Sequence, residues 1–260
     1  MAVALASLLF SKRTAPAAGS HRDYAEIAAD TLRVVTEYND VGFYIDGDSL
    51  DGFHYRLIED FARTHGLELK ITPEMDLEKS TQGLLEGKYD LLALGLHLTP
   101  LWRDSFLLTK PVAQGKEVLV QRRPYTSDDS TTYIRSALDL MGRTLHVTAN
   151  SPSLLRLRNL SDEIGDTIYV VEVEKYGAEQ LIAMVAHGDI DYVVCDESLA
   201  RRAAMHIDSI DVETDIGFTR FHSWAVSRQS TNLLDSLNSW IEAFRDTRRY
   251  KRLHKEYYGY

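Results

Sequence analysis

One short phrase occurs twice in this chain, about a hundred residues apart, and it constrains the fold more than any other feature. The first copy, residues 84–94, reads LLEGKYDLLAL, and the second copy, residues 185–195, reads VAHGDIDYVVC. Each copy predicts the end of an amphipathic helix, a glycine that terminates it and a strand that is apolar on both faces. Such strands are typical of buried parallel sheets. Two copies therefore predict two similar α/β lobes, and small ligands bind in the crevice between lobes of this kind.

The composition of the chain is that of a folded globular protein. It has 260 residues, of which 44% are hydrophobic and 26% are charged, so it can build one large domain or two ordinary ones. The formal net charge of −10 argues against nucleic acid or an anionic membrane as the main partner. A basic stretch within residues 245–255 is predicted to be the solvated face of a terminal helix.

The sequence contains no complete catalytic or metal-binding pattern. It has no Gly-x-Ser-x-Gly elbow, no phosphate-binding glycine loop and no His-x-x-x-His spacing. Cys195 is the only cysteine, which excludes an intrachain disulfide and a cysteine-based zinc site. It falls in the second buried strand, where a small apolar residue is expected and a reactive thiol is the alternative. We therefore predict a protein that is not an enzyme and that uses no cofactor and no metal.

The first 30 residues are predicted to be a signal-like or disordered segment. The apolar run at residues 2–10 is too short to span a bilayer. Lys12 and Arg13 follow this run, whereas a secretory signal carries its positive charge before the apolar stretch. The segment is thus an atypical signal or an unstructured tail, and we expect a periplasmic or extracytoplasmic location.

Alternating helix and strand patterns follow, and they predict the order of the two lobes. Folded structure is expected to begin near Asp30, in a β-α-β-α-β series that requires crossover connections and a mostly parallel sheet. Residues 117–121 predict the strand that leads into a second series, and residues 224–226 predict a return strand. Two crossing strands make a hinge. The predicted division is residues 31–115 for lobe 1, residues 116–219 for lobe 2 and residues 220–260 for the return to lobe 1.

Several short phrases occur in an order that points to a known family. They are Gly52-Phe53-His54-Tyr55, Leu98-Thr99-Pro100 with Arg103, Leu108-Thr109-Lys110-Pro111 and the ending Tyr250-Lys251-Arg252-Leu253. Together they resemble the bacterial extracytoplasmic solute-binding proteins of the amino-acid type. The resemblance implies the periplasmic binding protein type II fold, an α/β clamshell of two lobes, each a mostly parallel sheet flanked by helices, with a two-strand hinge. Finer phrases resemble the N-terminal binding module of the membrane-bound lytic murein transglycosylase F family, among them Ser151-Pro152-Ser153 and Ser223-Trp224-Ala225-Val226.

The resemblance implies a site with an arginine for a ligand carboxylate and an acid for a ligand ammonium group. Arg103, helped by Thr99, is the implied clamp, although it stands one residue beyond the family's arginine position, which Trp102 occupies. An ordinary surface arginine is the alternative interpretation. Asp196 directly follows the second buried strand, and the resemblance implies that it binds the ammonium group. Its alternative role is to cap the next helix.

Other residues near predicted strand ends can complete such a site. Ser151 and Ser153 open a helix, where hydroxyls and free N–H groups suit a carboxylate, or where one serine is a plain N-cap. Tyr38 and Tyr44 lie in the loop after the first strand and either contact the apolar part of the ligand or belong to the core. His97 follows the first buried strand and is either a hydrogen-bond partner of the ligand or a structural histidine.

The function predicted from these residues is non-catalytic extracytoplasmic binding of a small amino-acid-like or peptide ligand in the interlobe cleft, with hinge closure. The alternative is a muropeptide-sensing regulatory module of a lytic transglycosylase F-like protein, whose catalytic domain would follow Tyr260. An enzyme on the same fold, such as a dehydratase, is a third hypothesis. The expected partners are the small-molecule ligand and either a membrane permease or a cell-wall enzyme, with no nucleic acid. The protein itself is expected to be a monomer.

Overall fold

The computed structural model describes residues 21–97, 100–124 and 133–259, and at residues 96, 97 and 100–102 it describes the backbone alone. The strands, numbered in chain order, are β1 (Thr31–Thr36), β2 (Tyr44–Asp46), β3 (Ser49–Asp51), β4 (Glu68–Pro73), β5 (Leu91–His97), β6 (Leu107–Leu108), β7 (Ala113–Gly115), β8 (Glu117–Arg122), β9 (Thr144–Thr148), β10 (Tyr169–Val173), β11 (Val193–Asp196), β12 (Ile210–Asp215) and β13 (Arg220–Val226). The α-helices are α1 (Tyr24–Ala28), α2 (Phe53–His65), α3 (Leu77–Leu85), α4 (Pro100–Ser105), α5 (Ser153–Ile164), α6 (Ala178–His187), α7 (Glu197–Ala204), α8 (Thr231–Arg245) and α9 (Arg248–Tyr258). Among these described helices, none has the length and apolar character needed to cross a bilayer.

Two separate sheets organise the chain, and they share one plan. The first has the strand order β4-β1-β5-β13-β6, with β7 also paired to β13, and the second has the order β10-β9-β11-β8-β12. In each sheet one strand, β1 or β9, runs parallel to both of its neighbours. Two places along from it, β13 runs antiparallel to β5 in the first sheet, and β8 runs antiparallel to β11 in the second. The predicted two-lobed α/β fold is therefore confirmed.

The sheets are mixed, whereas the sequence predicts sheets that are mostly parallel. The difference comes from the two strands that carry the chain between the lobes. The parallel strands end at the edge that faces the other lobe, but β8 begins there, directly after β7, and β13 begins there on the return. A strand that starts where its neighbours end must run antiparallel to them.

Both copies of the repeated phrase form strands that are buried on both faces, as predicted. In β5, Leu91 and Leu92 are fully buried in different apolar clusters, one on each face of the first sheet. In β11, Val193 and Val194 divide in the same way between the two clusters of the second sheet. The helices on each face supply the other side of these clusters, so each lobe has a three-layer core.

The glycines of the repeated phrase adopt the left-handed conformation that was predicted for them. Gly188 follows α6 directly with φ 90° and ends it with bonds to the carbonyls of Met184 and Val185. In the first copy α3 ends one residue earlier, at Leu85, and Gly87 has φ 71°. A side chain with a Cβ atom is disfavoured in this region, which explains the glycine at both positions.

Folded structure begins before Asp30, which corrects the predicted start of the first lobe. Asp23 caps α1 and also accepts a hydrogen bond from the backbone N–H of Leu233 at 2.9 Å, at the start of α8. The hydroxyl of Ser230 donates to the carbonyl of Arg22 at 2.8 Å. These contacts attach residues 21–30 to the first lobe, and the rest of the predicted signal-like segment lies outside the described residues.

The aspartate of the repeated phrase pairs with an arginine in both lobes, but the two pairs differ in burial. Asp90 has a side chain that is 0% exposed, and it accepts hydrogen bonds from Arg22 Nη2 at 2.5 Å and from Arg33 Nη2 at 2.7 Å. Asp191 is 65% exposed in its side chain and pairs with Arg122 at 2.5 Å. Burial raises the pKa of Asp90, but the hydrogen bonds from Arg33 and Arg22 outweigh it, so the net pKa lies below the usual range.

We predict that Asp90→Asn lowers the free energy of unfolding by about 3 kcal/mol, because it leaves two partly buried guanidinium groups without their counter-charge. The matched control is Asp191→Asn, which removes an exposed pair and is expected to cost less than about 1 kcal/mol. Urea unfolding of both variants at neutral pH measures the two values. Equal losses in the two variants would show that burial does not set the strength of these pairs.

Candidate functional site

A cavity of about 150 Å³ lies between the two lobes, at the edge where the parallel strands of both sheets end. A cavity of about this volume can hold a guest the size of benzene, so a small ligand fits. The first lobe contributes Glu37, Asn39, Val41, Gly42, His54, Leu94, Gly95, His222 and Tyr258. The second lobe contributes Glu117, Thr148, Ser151, Pro152, Ser153, Ala178, Val194, Cys195, Asp196, Ser198 and Leu199. We refer to this space as the interlobe cavity.

The two copies of the repeated phrase lead to opposite sides of one histidine in the interlobe cavity. Gly95 follows the first copy and Asp196 follows the second. A Cβ atom at Gly95 would lie 3.1 Å from Nδ1 of His222, and Asp196 Oδ2 lies 3.5 Å from Nε2 of the same ring. A Cβ atom at Gly115, the last residue of β7, would lie 2.8 Å from Cε1 of His222 and 3.1 Å from Asp196 Oδ2. Glycine at positions 95 and 115 therefore leaves room for the histidine and the aspartate.

Asp196 caps the next helix, which is one of the two roles that the sequence left open for it, and it also lines the interlobe cavity. Its Oδ1 accepts hydrogen bonds from the backbone N–H of Ser198 at 2.8 Å and from the Ser198 hydroxyl, and so caps α7. The same side chain lines the interlobe cavity, with Oδ2 towards His222. The cap is therefore present, and the predicted contact with a ligand ammonium group stays a prediction.

Ser151 and Ser153 both line the interlobe cavity at the start of α5. The N–H of Ser153 donates to the hydroxyl oxygen of Ser151 at 3.2 Å, and Pro152 occupies the N-cap position without a side-chain cap. Asn150 just before them has φ 58°, which turns the chain into the helix. The positive end of the α5 dipole is thus next to the cavity, where it favours an anionic group.

The interlobe cavity is acidic, because Glu37, Glu117 and Asp196 line it and its described lining residues include no lysine or arginine. Glu117 is buried, and its Oε1 lies 3.4 Å from Nη1 of Arg220. Glu37 keeps some accessible surface because it faces the cavity. Burial raises the pKa of Glu37 to about 7, and the nearby charges of Glu179 and Asp196 act in the same direction.

Two further ionisable groups at the cavity are uncharged near neutral pH. His54 is buried, and its Nδ1 accepts a hydrogen bond from the indole N–H of Trp224 at 3.0 Å. Burial lowers the pKa of His54 to about 3, and His222 adds to the effect. Burial raises the pKa of the Cys195 thiol, which disfavours the reactive thiolate. Cys195 thus matches the small buried residue expected from the sequence.

Several lining residues were not selected from the sequence. Glu37 comes directly after β1, so the strand-end argument that selected Asp196 would also have found it. Glu117 begins β8, and His222 lies within β13, where no local pattern distinguishes them. His54 is within the phrase that carried the family resemblance, but its position at the cavity depends on how α2 packs on the first sheet.

Arg103, Tyr38 and Tyr44 are predicted site residues that do not belong to the described cavity lining. Arg103 is exposed near the end of α4. Tyr38 is exposed as well, and Tyr44 lies at the junction of the lobes, with its hydroxyl 3.5 Å from Arg202 Nη2. Thr99 lies outside the described residues, and only the backbone is described at His97 and Trp102. The ligand contacts expected of these residues stay predictions.

Contacts near the cavity hold the lobes together in the closed arrangement. Arg202 of α7 lies 4.6 Å from the ring centroid of Tyr257 and 5.8 Å from that of Tyr44, both in the first lobe. Glu179 of α6 accepts a hydrogen bond from the backbone N–H of Asp40 at 2.7 Å. We call Arg202, Glu179 and these three partners the interlobe clasp. Because its members come from both lobes, we expect the clasp to stabilise the arrangement of the lobes that the structure shows.

We predict that Arg202→Met shifts the unliganded protein towards an open form. A cation–π contact contributes about 0.5–2 kcal/mol, so the ratio of open to closed molecules should rise by roughly 2- to 30-fold. The increase is measured as a larger radius of gyration in small-angle X-ray scattering. Arg201→Met is the matched control, because Arg201 pairs with Glu197 at 2.8 Å and with Glu213 at 3.5 Å inside the second lobe. An unchanged radius for Arg202→Met would exclude the clasp as a determinant of closure.

We also predict that closure of the unliganded protein weakens as the pH rises. Glu37 keeps its proton up to about pH 7 in the closed form, but a solvated glutamate loses it near its ordinary value of 4.5. The closed form thus binds more protons between these two values, and its stability decreases with pH across that window. Melting temperature and radius of gyration at about pH 5 and about pH 8 measure the change. Glu37→Gln is expected to remove most of it, and a pH dependence that persists in this variant would assign it to another group.

Comparison with known proteins gives a consistent result for almost the whole described chain. Residues 31–260 match the profile of the bacterial extracellular solute-binding proteins, family 3. Membrane-bound lytic murein transglycosylase F of Shewanella sediminis is 32% identical over 174 residues, which are 66% of this chain and 34% of that protein. The same enzyme of Ectopseudomonas mendocina is 28% identical over 243 residues, which are 90% of this chain and 47% of that protein. The chain thus spans between about one third and one half of the length of these relatives.

Solved structures of binding proteins share the fold. A mutant of ArgBP from T. maritima superposes with a TM-score of 0.75 at 21% identity, covering 91% of this chain and 99% of that one. The amino acid ABC transporter substrate-binding protein AbpA from Streptococcus pneumoniae, bound to L-arginine, gives a TM-score of 0.73 at 17% identity and covers 91% of this chain and 98% of that one. At these identities the likeness concerns the fold alone.

Proposed function

This chain belongs to the bacterial extracellular solute-binding proteins of family 3, and from that premise we propose that it binds a small amino-acid-like or peptide ligand in the interlobe cavity. The observation that carries the proposal is the lining of the cavity. It combines carboxylates from both lobes with the hydroxyl-rich start of α5. A zwitterionic ligand needs both kinds of group, one for its ammonium end and one for its carboxylate.

In the proposed complex the ammonium group lies near Asp196 and Glu37, and the carboxylate lies near Ser151 and Ser153 at the positive end of α5. Arg103, which is exposed, is the alternative partner of the carboxylate. Charge-assisted hydrogen bonds contribute about 1.5–3 kcal/mol each, whereas micromolar affinity needs about 8 kcal/mol. Several such contacts and closure of the lobes are therefore needed together.

The proposed role involves no catalytic step. General acid–base chemistry needs a side chain that can exchange a proton near neutral pH. His54 is held neutral against Trp224, and one oxygen of Asp196 is committed to capping α7. Glu37, whose pKa burial raises to about 7, could exchange a proton, but the neutral His54 does not offer it an acid–base partner, so we propose that the cavity holds its ligand unchanged.

The family is described as extracellular, and we propose an extracytoplasmic location for this protein too. The closed protein would have a different outer surface from the open protein. A membrane permease could bind one of these surfaces and not the other. We propose a membrane permease as the partner of the closed form, and we propose that the protein is a monomer.

The similarity to the lytic transglycosylases favours a second candidate function. Because the match to the Ectopseudomonas mendocina enzyme covers 90% of this chain, the module could serve a cell-wall enzyme instead of a permease. Its ligand would then be a muropeptide, and ligand-driven closure would regulate cleavage of the cell wall.

We predict that ligand raises the melting temperature of the parent protein and that Asp196→Asn abolishes the rise, whereas Arg103→Ala abolishes it only if Arg103 is the partner of the ligand carboxylate. Asparagine is about as good an N-cap as aspartate, so Asp196→Asn removes the charge and keeps the cap. Arg103 is exposed, so its loss should leave the unliganded fold intact. The ligand is found by native mass spectrometry of the purified protein and by a melting screen of amino acids and muropeptides. Asp191→Asn is the control that retains the full response.

The outcomes separate the alternatives. A response to free amino acids supports the solute binder, and a response to muropeptides alone supports the cell-wall module. If Arg103→Ala responds like the parent while Asp196→Asn does not, the carboxylate lies at α5. If both variants respond like the parent, the assigned site is wrong.

A further inference from the structure

We propose that the interlobe cavity selects ligands with a net positive charge, such as a basic amino acid or a peptide that carries a second ammonium group. This inference rests on the proposed function, because it concerns the ligand of the same cavity. The inference specifies the net charge that the ligand must carry in order to favour closure of the lobes.

The first argument is the charge balance of the closed cavity. Three carboxylates, those of Glu37, Glu117 and Asp196, line the cavity. Arg220 lies 3.4 Å from Glu117 and compensates the negative charge of that residue. Within the described part of the chain, neither Glu37 nor Asp196 forms an ion pair with a lysine or an arginine. Two like charges in a cavity of low polarity repel strongly unless a counter-charge joins them.

A neutral zwitterion supplies only part of that counter-charge. Its ammonium group compensates one carboxylate, while its own carboxylate takes the positive end of α5 next to Ser151 and Ser153. One of the two cavity carboxylates would stay without a cation. A second cationic group on the ligand completes the balance, and a net positive charge is the result.

The second argument is the placement of the two carboxylates on different lobes. Glu37 follows β1 in the first lobe, and Asp196 ends β11 in the second. Glu179 of the second lobe adds a further negative charge that acts on Glu37. Opening the lobes separates these groups, so repulsion favours the open form until a cation lies between them. Ligand charge and closure are thereby coupled.

Within the described residues, Nε2 of His222 lies 3.5 Å from Oδ2 of Asp196 and would supply a competing positive charge there if the ring were protonated. A higher pH disfavours protonation of a histidine, whereas ornithine and lysine keep their side-chain charge at about pH 8. Measurements at about pH 8 therefore favour the contribution of the ligand over that of the histidine.

Matched ligands give a direct test with the unmodified protein. The pairs are L-ornithine with L-norvaline, L-lysine with L-norleucine, and alanyl-lysine with alanyl-norleucine, which differ only by the terminal amine. In at least one pair, isothermal titration calorimetry at about pH 8 is expected to show that the basic member binds roughly tenfold more tightly or better. A tenfold difference in affinity corresponds to about 1.4 kcal/mol of binding free energy. At about pH 5 the preference should shrink, because Glu37 takes up a proton.

Two substitutions connect the preference to the cavity carboxylates. Glu37→Gln should reduce the preference for the basic member to less than about threefold and, in the absence of ligand, raise the melting temperature at about pH 8, because one repelling charge is gone. A purely structural role for Glu37 predicts a lower melting temperature instead. Asp191→Asn removes an exposed charge of the second lobe and is expected to leave the preference unchanged.

Tighter or equal binding of the neutral member in every pair that binds overturns the inference and leaves the proposed function in place. Failure of all six ligands overturns it too, and the proposed function is then decided by the wider screen of amino acids and muropeptides. If that screen also finds no ligand, the proposed function fails with it.

Discussion

The meeting of carboxylates from two lobes in one cavity is the constraint that the rest of the structure must accommodate. Glu37 and Asp196 follow strands of different sheets, and both sheets direct the carboxyl ends of their parallel strands to the same cavity. A parallel arrangement concentrates strand ends at one edge, which is why polar side chains accumulate there. Burial makes the resulting negative charge costly, and it raises the pKa of Glu37 to about 7. The clasp formed by Arg202 opposes this cost from outside the cavity. In the proposed function, closure is a balance between attraction at the rim of the cavity and repulsion among its carboxylates, and a cationic ligand would relieve that repulsion.

The repeated phrase builds the same local structure in both lobes, but its two copies place different residues at the cavity. In both lobes it supplies a helix end, a left-handed glycine and a doubly buried strand. The residue that follows the phrase differs, since Gly95 makes room for His222 while Asp196 approaches the same ring. The linking aspartate differs as well: Asp90 is buried between two arginines, and its counterpart Asp191 is exposed. The shared residues thus maintain the fold, and the divergent ones create an asymmetric cavity.

Local patterns in the sequence predict most of the fold, because helix periodicity, glycine caps and buried strands are short-range features. The helix α2 ending at Gly66 and the Asp76 cap of α3 follow directly from them. The hairpin of β2 and β3 and the strand β12 are absent from the prediction, although Ile210, Val212 and Thr214 of β12 alternate with acidic residues. The site is predicted less completely. Asp196, Ser151 and Ser153 follow strand ends and reach the cavity, whereas His222 comes from a strand that crosses between lobes, and its position requires the three-dimensional pairing of β13 with β5.

Gly115 lies where the chain passes between the lobes and also beside the polar pair in the cavity. It is the last residue of β7, directly before the chain passes into the second lobe, and a Cβ atom there would crowd both His222 and Asp196. The passage between the lobes and this pair therefore meet at one backbone position. Any larger residue there would have to displace the histidine or the carboxylate, which is a physical reason for the chain to have its smallest residue at this point.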